Sequence, residues 1–581
     1  MAEIEHKRHT LAHLLAAAVL ERHPNAHLTL GPAIDTGFYY DIDFGEEKIS
    51  DSDLPKIEKV MRKLLPSWKE FTHKEVSADE AQKLFAGNPF KLELIDEITA
   101  RGEKITLYTC GAFTDLCRGS HAEHPSKDID ADSFKLDRVA GAYWRGDEKN
   151  KMLTRIYGLA FDTKEELDAY LNQREEAKKR DHRKIAREQD LLVFSDLIGS
   201  GMPMYTPKGN IVRNAIINYS RELNGKLGFG EVHTPNVNKA ELFKLSGHYD
   251  AYKEDMLSVR SQYVADEMFL KPMNCPQHTQ IYASQPRSYR DLPIRYADFA
   301  NLYRDERPGE LSGLTRLRSF AQDDGHIFCR EDQIEQEVSA VLGAIQEALK
   351  TYQISYWMRL SLRDPNNTEK YLGDPAVWEK AQNIMRELLK SKNIEFKEAE
   401  GEAAFYGPKI DIMAVDAIGR QWQISTVQLD FVQPTRFGLE YTAEDGSKKT
   451  PVMIHRALIG SPDRFLGILI EHYAGAFPLW MAPVQVQVLP ISEKQSHYAA
   501  EIVEALQKND IRAELSADDS LGKRIRNGKL ERVPYFIVVG DKEMEDKTVT
   551  VENNRTAEKS TVALSDFIQS TLQKIKERAV V

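Results

Sequence analysis

One long stretch of the chain is too charged to lie inside a hydrophobic core. It runs TKEELDAYLNQREEAKKRDHRKIAREQDLL and predicts a helix with few apolar residues. Such a helix typically connects domains and is surrounded by solvent. Because a chain of 581 residues is too long for one hydrophobic core, several domains are expected. This helix and other changes of pattern predict domains at 1–158, 185–481 and 482–581, with a charged linker helix at 159–184.

Composition excludes several classes of protein. Hydrophobic residues make up 41% of the chain and the formal net charge is −12, which disfavours indiscriminate binding to nucleic acids, DNA included. No apolar run approaches the roughly 20 residues of a membrane span, and the first residues are too charged for a signal peptide. So few cysteines form no disulfide framework in a chain of this size, which predicts a cytoplasmic protein without a membrane partner. The cysteines are Cys110, Cys117, Cys275 and Cys329.

Two matched pairs of potential ligands lie in the N-terminal region. His9 and His13 are four residues apart in an amphipathic helical stretch, so they share one face. Cys117 and His121 have the same spacing, and Asp115 comes just before them. Histidine, cysteine and carboxylate are the usual ligands of zinc, so spacing alone favours a metal centre. A catalytic pocket of another kind is the alternative.

Regular alternation of strand and helix patterns marks the C-terminal region. APVQVQVLPI, IRAELS and YFIVVG predict strands, SHYAAEIVEALQKND and LGKRIRNGKLERV predict helices, and a final helix follows from about residue 564. These elements predict a compact α/β module. The second helix concentrates basic side chains that suit phosphate contacts, although a solvated helix face has the same pattern. They are Lys523, Arg524, Arg526, Lys529 and Arg532.

Three pieces of the central region are candidates for nucleotide binding. Arg304 and Glu306 are two residues apart on a probable strand, so both side chains leave the same face. The guanidinium could clamp a phosphate through two hydrogen bonds, and the carboxylate could accept one from an exocyclic amine; an exposed ion pair is the alternative. Arg464 stands in a Gly/Ser/Pro turn before an amphipathic helix, and Pro235 ends a helix–strand unit. None of these three features, taken alone, indicates a nucleotide-binding site.

In this order the three pieces resemble the signature motifs of class II aminoacyl-tRNA synthetases. KPMNCP, FAQDDGHIF, AFYGPKIDI, TVQLDF and VMIHRALIGS closely resemble the threonyl-tRNA synthetase family, and the resemblance covers essentially the whole chain. It implies a multidomain protein of α/β and α+β parts. The expected parts are an N-terminal α+β editing domain, a class II catalytic core on an antiparallel sheet, and a C-terminal α/β anticodon-binding domain. It also implies a homodimer with its interface around Pro235.

The resemblance implies ligation of threonine to tRNA(Thr) through an adenylate made from ATP with Mg²⁺. One zinc ion per subunit would be held by Cys275, His326 and His455, and three protein ligands leave the open position of a catalytic zinc site. That position would bind the amino and hydroxyl groups of threonine. Cys329 lies close to His326 in sequence but matches no ligand of the family. Valine lacks the hydroxyl and would be rejected, because polar groups of the site would be left unpaired.

The resemblance assigns the rest of the synthetic site residue by residue. Arg304 and Arg464 would hold the ATP phosphates, and with Lys409 they form the expected catalytic set. Glu306 would contact adenine. The other matching positions of the substrate pocket are Met273, Arg316, Gln322, Asp324, Tyr406 and Gln428. Positioning and neutralisation of charge would supply most of the rate enhancement.

Selection against serine explains the N-terminal pairs. Serine lacks only one methyl group of threonine, which is worth about 1–3 kcal/mol, so a second, hydrolytic site for seryl-tRNA is needed. The N-terminal domain resembles the family's editing domain, in which a histidine activates water without an obligatory metal. We therefore interpret the pairs as an editing pocket; two zinc ions per chain would contradict this. The matching residues are His9, His13, Lys91, Asp115, Cys117 and His121.

The sequence departs from the common family pattern in a few places. The chain begins almost at the editing helix, so it is expected to lack the small ubiquitin-like (TGS) domain. Ser120 and Gln277 stand where the family usually has Pro and Gly. Both are neighbours of functional residues, so we expect these differences to adjust the activity rather than to abolish it.

The anticodon contacts match the family less completely. Arg526 and Glu543 match, whereas Asp518 and Glu552 are acidic where the family tends to have other residues. The basic helix of this domain suits phosphate contacts, and the resemblance identifies only Arg526 and Glu543 as anticodon residues.

Two other functions compete with this interpretation. A non-catalytic RNA-binding regulator derived from a synthetase would be expected to have lost an ATP-binding arginine or a zinc ligand. A free hydrolase acting through the N-terminal pocket would leave the central motifs without use. Both are disfavoured because Arg304, Arg464 and all three expected zinc ligands are present.

Overall fold

The charged stretch that marks a boundary in the sequence lies where the chain divides into two units. The computed structural model describes residues 3–579. The first unit ends at Glu175 and the second begins at Glu176. Among the described residues, no helix is long and apolar enough to cross a membrane.

The first unit contains two sheets and the helices that cover them. Its helices are α1 (Ile4–Arg22), α2 (Leu54–Leu64), α3 (Ala78–Leu84), α4 (Pro89–Ala100), α5 (Pro125–Asp128) and α6 (Lys164–Arg180), the last of which crosses the division. Its strands are β1 (His27–Leu28), β2 (Ala33–Ile34), β3 (Gly37–Asp43), β4 (Thr72–Val76), β5 (Ile105–Cys110), β6 (Phe113–Leu116), β7 (Phe134–Tyr143) and β8 (Met152–Ala160).

Helix α1 packs on an antiparallel sheet in the order β1-β3-β8-β7, with β2 also pairing with β3. Leu11, Leu14, Leu15 and Val19 recur at intervals of one to four residues and are all buried, which is the spacing of a core-facing helix. A second antiparallel sheet, β4-β5-β6, packs with α3 and α4. Cys117 directly follows β6 and therefore belongs to the same unit as α1.

The second unit begins inside α6 and holds the central and C-terminal regions. Its helices are α7 (His182–Glu188), α8 (Pro207–Lys226), α9 (Ala240–Ser246), α10 (His248–Tyr252), α11 (Cys275–Ala283), α12 (Ile334–Tyr352), α13 (Pro375–Ser391), α14 (Val432–Arg436), α15 (Pro462–His472), α16 (Ser496–Lys508), α17 (Leu521–Leu530), α18 (Asp541–Asp546) and α19 (Leu564–Lys576). The predicted linker at 159–184 thus begins in β8, and its helix is broken at Asp181 into α6 and α7.

The strands of this unit form one large sheet, a C-terminal sheet and several short pairs. They are β9 (Leu192–Val193), β10 (Met204–Tyr205), β11 (Gly230–Glu231), β12 (Val237–Lys239), β13 (Ser258–Val259), β14 (Met268–Leu270), β15 (Ile294–Asp298), β16 (Asn301–Tyr303), β17 (Ser319–Ala321), β18 (Asp324–Cys329), β19 (Ser355–Leu362), β20 (Phe396–Glu400), β21 (Lys409–Val415), β22 (Gln421–Asp430), β23 (Tyr441–Thr442), β24 (Lys448–Lys449), β25 (Val452–Ala457), β26 (Val486–Pro490), β27 (Ala513–Leu515), β28 (Tyr535–Val539), β29 (Thr548–Asn553) and β30 (Lys559–Ala563).

The large sheet has the order β11-β15-β18-β25-β22-β21-β19-β20. The inner strand pairs of this sheet are antiparallel. Among its described strands, only the two edge pairs, β11 with β15 and β19 with β20, are parallel. Strands β18 and β25 are buried along their whole length. Burial on both faces explains why neither sequence alternates between polar and apolar residues. The antiparallel core confirms the predicted fold class.

The C-terminal sheet, β27-β26-β28-β29-β30, is parallel in its first three strands and antiparallel in its last two. The sequence predicts β26 to β28 with α16, α17 and α19, and misses α18, β29 and β30. Two of the five basic side chains that the sequence predicts on this helix are engaged by backbone carbonyls. Arg524 is buried and donates to the carbonyls of Ser516 and Pro490, and Arg532 lies beyond the helix end, where it donates to Ala474 O.

A buried ion pair supports the centre of the large sheet. Arg456 Nη1 lies 2.6 Å from Asp323 Oδ1, and both side chains are fully buried. Ser220 Oγ donates to Asp323 Oδ2 at 2.6 Å, and the amides of Leu458 and Ile459 donate to the same oxygen. Asn224 Nδ2 also donates to Oδ1, at 3.5 Å, so the Asp323 carboxylate accepts from a cation and four neutral donors.

We expect Asp323→Ala to lower the free energy of unfolding by about 3–5 kcal/mol, because the buried guanidinium loses its partner. Glu231→Ala is the matched control. It removes the carboxylate of an exposed pair with Arg221 at 2.8 Å, and such pairs contribute at most about 1 kcal/mol. Equilibrium urea unfolding compares the two variants; equal losses would contradict the argument from burial.

Candidate functional sites

Three residues far apart in the sequence form a tight group of potential metal ligands. His326 in β18 and His455 in β25 are directly opposite each other in the antiparallel register, so their side chains leave the same face. Cys275 is the first residue of α11. The three ligand atoms lie within 4.8 Å of one another, and all three residues are buried.

Hydrogen bonds around this trio leave ring nitrogens facing one another. His455 Nε2 lies 2.8 Å from Asp430 Oδ2, so the carboxylate accepts the Nε2 proton and Nδ1 keeps its lone pair. His326 Nδ1 lies 2.8 Å from His278 Nδ1, and His326 Nε2 faces His455 Nδ1 at 3.1 Å. Metal-binding histidines are typically oriented by such outer partners. Two facing lone pairs beside a thiol fit a bound cation.

Burial shifts the pKa of two members of the trio. It raises the pKa of the Cys275 thiol well above its usual value and lowers the pKa of His326 well below its own. A neutral imidazole is a metal ligand, and a bound metal ion deprotonates a coordinating thiol. Two nitrogens and one sulfur leave a fourth position in a tetrahedral zinc site. The donor set therefore fits a zinc ion with one open position.

Sequence reasoning missed the residues that orient the trio. His278 and His248 are buried, and no spacing signal identifies them. His248 Nε2 lies 3.7 Å from Cys275 Sγ, and burial, with nearby cationic groups, lowers the pKa of His248 to about 3. Asp430 lies in the word TVQLDF, which could have pointed to it.

A cavity of about 530 Å³ is lined by both arginines of the predicted nucleotide site, Arg304 and Arg464. Burial lowers the pKa of each guanidinium, but an arginine remains charged in proteins. Arg464 Nε is buried and has no hydrogen-bond partner in the described part of the chain. Glu306 shares the cavity and accepts from Arg316 Nε at 2.7 Å. Two guanidinium groups at one cavity, one of them with an unpaired Nε, fit an anionic ligand such as a phosphate.

Two local details of the sequence interpretation are wrong. Strand β16 ends at Tyr303 because its pairing with β17 ends there, so Arg304 and Glu306 lie in the following loop rather than on a strand. Arg464 lies in the first turn of α15, where its amide donates to Ser461 Oγ at 3.3 Å. The side chains of Arg304, Glu306 and Arg464 nevertheless line the same cavity.

Further predicted positions join the cavity to the trio. Gln322, Arg316 and Gln428 line the cavity. Tyr406 OH donates to Gln428 Oε1, and its ring stacks on His455 with centroids 4.6 Å apart. Tyr406 therefore connects a ring of the trio to a residue of the cavity lining.

Three predicted positions lie off the cavity wall. Asp324 Oδ1 lies 3.8 Å from His326 Nε2, and burial raises the pKa of this carboxyl. Met273 packs in the hydrophobic cluster that contains Cys275. Lys409 Nζ lies 3.1 Å from Asp411 Oδ2. Asp324 and Met273 thus lie near the trio, whereas Lys409 is paired with the buried carboxylate of Asp411.

The N-terminal pairs also meet in space. His9 and His13 come from α1, and Cys117 directly follows β6. Cys117 Sγ lies 3.6 Å from His9 Nε2 and 3.3 Å from His121 Nε2. The rings of His9 and His121 stack with centroids 4.3 Å apart. The ligand atoms of these four residues lie within 4.8 Å of one another.

Asp115 contacts three other residues beside this cluster. Lys91 Nζ lies 2.5 Å from Asp115 Oδ1, and Tyr40 OH donates to Asp115 Oδ2 at 2.5 Å. His13 Nδ1 lies 3.7 Å from the same oxygen. Sequence reasoning missed Tyr40, which no spacing singles out. These groups line a cavity of about 550 Å³, together with His9 and Cys117.

The histidines of this cluster are neutral at physiological pH. Burial lowers the pKa of His9, of His13 well below its usual value, and of His121 to about 2. Nδ1 of His13 and of His121 is buried without a hydrogen-bond partner among residues 3–579. A neutral imidazole can accept a proton from water or bind a metal, so the geometry permits both chemistries.

The two predicted anticodon residues differ in their surroundings. Arg526 is exposed on α17. Both oxygens of Glu543 are engaged, since they accept from Gly540 N at 2.9 Å and from Thr550 Oγ1 at 2.8 Å. Glu543 therefore caps the N-terminal end of α18.

Comparison with known families matches three parts of the chain. The family described as "tRNA synthetase class II core domain (G, H, P, S and T)" matches residues 258–473. "Anticodon binding domain" matches residues 485–574, and "Threonyl and Alanyl tRNA synthetase second additional domain" matches residues 105–157.

Similar proteins span nearly the whole chain. A threonine--tRNA ligase of Rubrobacter xylanophilus is 45% identical over 576 residues, which covers 98% of this chain and 89% of that protein. One of Geobacillus sp. is 46% identical, over 98% of this chain and 88% of that protein.

A solved structure of the RNA binding domain of threonyl-tRNA synthetase from Cryptosporidium parvum is also similar. It has a TM-score of 0.65 at 37% identity, over 68% of this chain and 98% of that one.

Proposed function

The chain belongs to the threonine–tRNA ligases, the threonyl-tRNA synthetases of class II, and we propose on this basis how its sites divide the reaction. It ligates threonine to tRNA at the expense of ATP and hydrolyses mischarged seryl-tRNA in its N-terminal unit. Arg464 carries the assignment of the synthetic site, because it lines the nucleotide cavity and its buried Nε has no hydrogen-bond partner in the described part of the chain.

The first step forms threonyl-adenylate. An oxygen of the threonine carboxylate attacks the α-phosphorus of ATP, and the bond from that phosphorus to pyrophosphate breaks. Arg304 and Arg464 hold the phosphates, with Mg²⁺ on the ATP, and Glu306 binds the adenine amine. The charges that develop are neutralised by groups already in place, which costs no reorganisation. In the second step a ribose hydroxyl of the tRNA end takes the threonyl group and AMP leaves.

Selection of threonine follows from the donor set of the trio. A zinc ion on Cys275, His326 and His455 would supply an open position for the amino and hydroxyl groups of threonine. Asp430 holds the His455 ring so that Nδ1 is free for a metal. Asp324, beside His326, is placed to accept from the substrate ammonium. We propose one zinc per chain.

Editing takes place in the N-terminal cavity. A water attacks the ester carbonyl of seryl-tRNA, the bond from that carbon to the ribose oxygen breaks, and serine and free tRNA leave. His9 accepts the proton of the water, since burial keeps its ring neutral, and this proton then passes to the departing ribose oxygen. Lys91, held by Asp115 at 2.5 Å, stabilises negative charge on the carbonyl oxygen.

The oligomer and the compartment are also proposals. Class II cores associate through two-fold interfaces, and the segment around Pro235 is exposed. We propose a cytoplasmic homodimer with this segment at its interface. Light scattering at micromolar concentration should give twice the chain mass of 66.2 kDa; a single chain mass would contradict it.

Pyrophosphate exchange with three amino acids tests the synthetic site. We expect strong exchange with threonine, and exchange about 10–200-fold weaker with serine, because one methyl group carries little energy. Valine should be weaker by about 10⁴-fold, since it leaves polar groups unpaired. No exchange with any of the three on folded, zinc-loaded protein would instead favour the non-catalytic RNA-binding regulator.

A further inference from the structure

One buried histidine has no part in the proposed steps. His182 is the first residue of α7, and its side chain is buried. Its Nδ1 lies 2.6 Å from Glu471 Oε1, and its Nε2 accepts from the amide of Leu314 at 2.9 Å. An amide N–H can only donate, so the single proton of the neutral ring is on Nδ1, where the carboxylate accepts it.

The amide that His182 accepts from belongs to the loop between β16 and β17, which borders the nucleotide cavity. Leu314, Thr315 and Arg316 all line that cavity. The backbone folds tightly at this point, because Ser312 N donates to Arg316 O at 3.2 Å and Arg316 N donates to Ser312 O at 3.3 Å. A displacement of Leu314 would therefore displace Arg316.

The loop backbone touches the histidine ring directly. Gly313 has a φ of +49°, and a Cβ added to it would lie 2.1 Å from His182 Nε2. Only glycine fits this position without moving the ring or the loop. The contact is thus close-packed as well as hydrogen-bonded.

The other side of the ring is held by the helix that carries Arg464. Glu471 lies in α15, and its second oxygen accepts from Arg420. Arg420 Nε in turn lies 2.8 Å from Asp416 Oδ2. The imidazole therefore joins the two elements that supply Arg316 and Arg464 to the cavity.

We propose that His182 is a positioning residue for nucleotide binding: it fixes the Leu314–Arg316 loop against α15. The inference rests on the proposed function, because it concerns the ATP site of that function. A metal site is the competing interpretation, since Asp181, His182 and Glu471 form a group that could hold an ion. Both ring nitrogens already have hydrogen-bond partners, so no ring lone pair is left for a metal.

Two substitutions separate the hydrogen bond from the bulk of the ring. His182→Asn keeps a donor for Glu471 but is too short to accept from Leu314. His182→Gln can place a carbonyl oxygen near the position of Nε2. In threonine-dependent pyrophosphate exchange, we expect His182→Asn to raise KM for ATP about 10-fold or more. The KM for threonine should change little, because the loop does not contact the trio, and His182→Gln should restore most of the ATP affinity.

The outcomes separate this inference from the proposed function. If wild-type protein shows threonine-dependent exchange and His182→Asn has an unchanged KM for ATP, the positioning role is overturned and the function stands. Equal effects on both KM values, or a lower melting temperature without a change in KM, would indicate a merely structural residue. Failure of His182→Gln to recover, or a metal ion lost on substitution, would also overturn the inference.

A second variant tests the same contact from the loop if His182→Asn does not fold. Gly313→Ala pushes the loop away from the ring and should raise KM for ATP in the same selective way. Gly309→Ala is the matched control, because a Cβ there meets nothing within 4 Å. An unchanged KM for ATP in Gly313→Ala would overturn the inference.

Discussion

Replacing Cys275 by alanine should remove the bound zinc and reduce threonine-dependent pyrophosphate exchange by at least about 10³-fold. The reason is that only His326 and His455 would remain to hold the zinc ion, and threonine would lose the cation that binds its amino and hydroxyl groups. His326→Ala should behave alike. Metal content by mass spectrometry and exchange on the same preparation measure both effects.

Cys329→Ala is the control for this prediction. Cys329 is equally buried but packs in the core on the sheet, away from the trio. Its replacement should leave one zinc per chain and near-normal exchange. Retention of the metal in Cys275→Ala would show that the trio is not the zinc site.

Replacing Cys117 or His9 by alanine should spare threonine activation but slow the hydrolysis of seryl-tRNA by about 10²–10⁴-fold, the usual contribution of a positioned acid–base group. The two residues lie 3.6 Å apart in the N-terminal cavity. Seryl-tRNA prepared separately and added to each variant measures the loss directly, and aminoacylation with serine should then accumulate seryl-tRNA.

Cys110→Ala is the matched control in the same unit. Cys110 is buried at the end of β5, outside the cluster, so its variant should still hydrolyse seryl-tRNA. Equal loss of threonine activation in the Cys117 and His9 variants would show that the N-terminal unit has been assigned the wrong reaction. Two zinc ions in wild-type protein, with one lost in Cys117→Ala, would make this pocket a metal centre.

Local patterns in the sequence predict much of the fold. The amphipathic pattern predicts a helix that places His9 and His13 on one face, and the structure has α1 at Ile4–Arg22. The charged stretch predicts a boundary, and the two units divide inside it. These features depend on neighbours within a few turns of helix, so a short window of sequence contains the information.

Local patterns fail where a side chain's surroundings come from elsewhere in the chain. Arg524 has the spacing of a solvated basic face, yet it is buried against the carbonyls of Ser516 and Pro490. Arg304 follows an apparent strand pattern, but its strand ends one residue earlier because the partner strand ends there. In both cases the tertiary neighbours decide the conformation.

The sequence by itself determined the family, through short motifs spread over the whole chain, and it predicted many, though not all, of the helices and strands. Only the tertiary structure decided which distant residues share a site. His326 and His455 meet because two buried strands pair in one register, while Cys275 arrives on a separate helix and Asp430 on a third strand. Register depends on burial of the whole sheet rather than on any one segment, so no local spacing could reveal this trio.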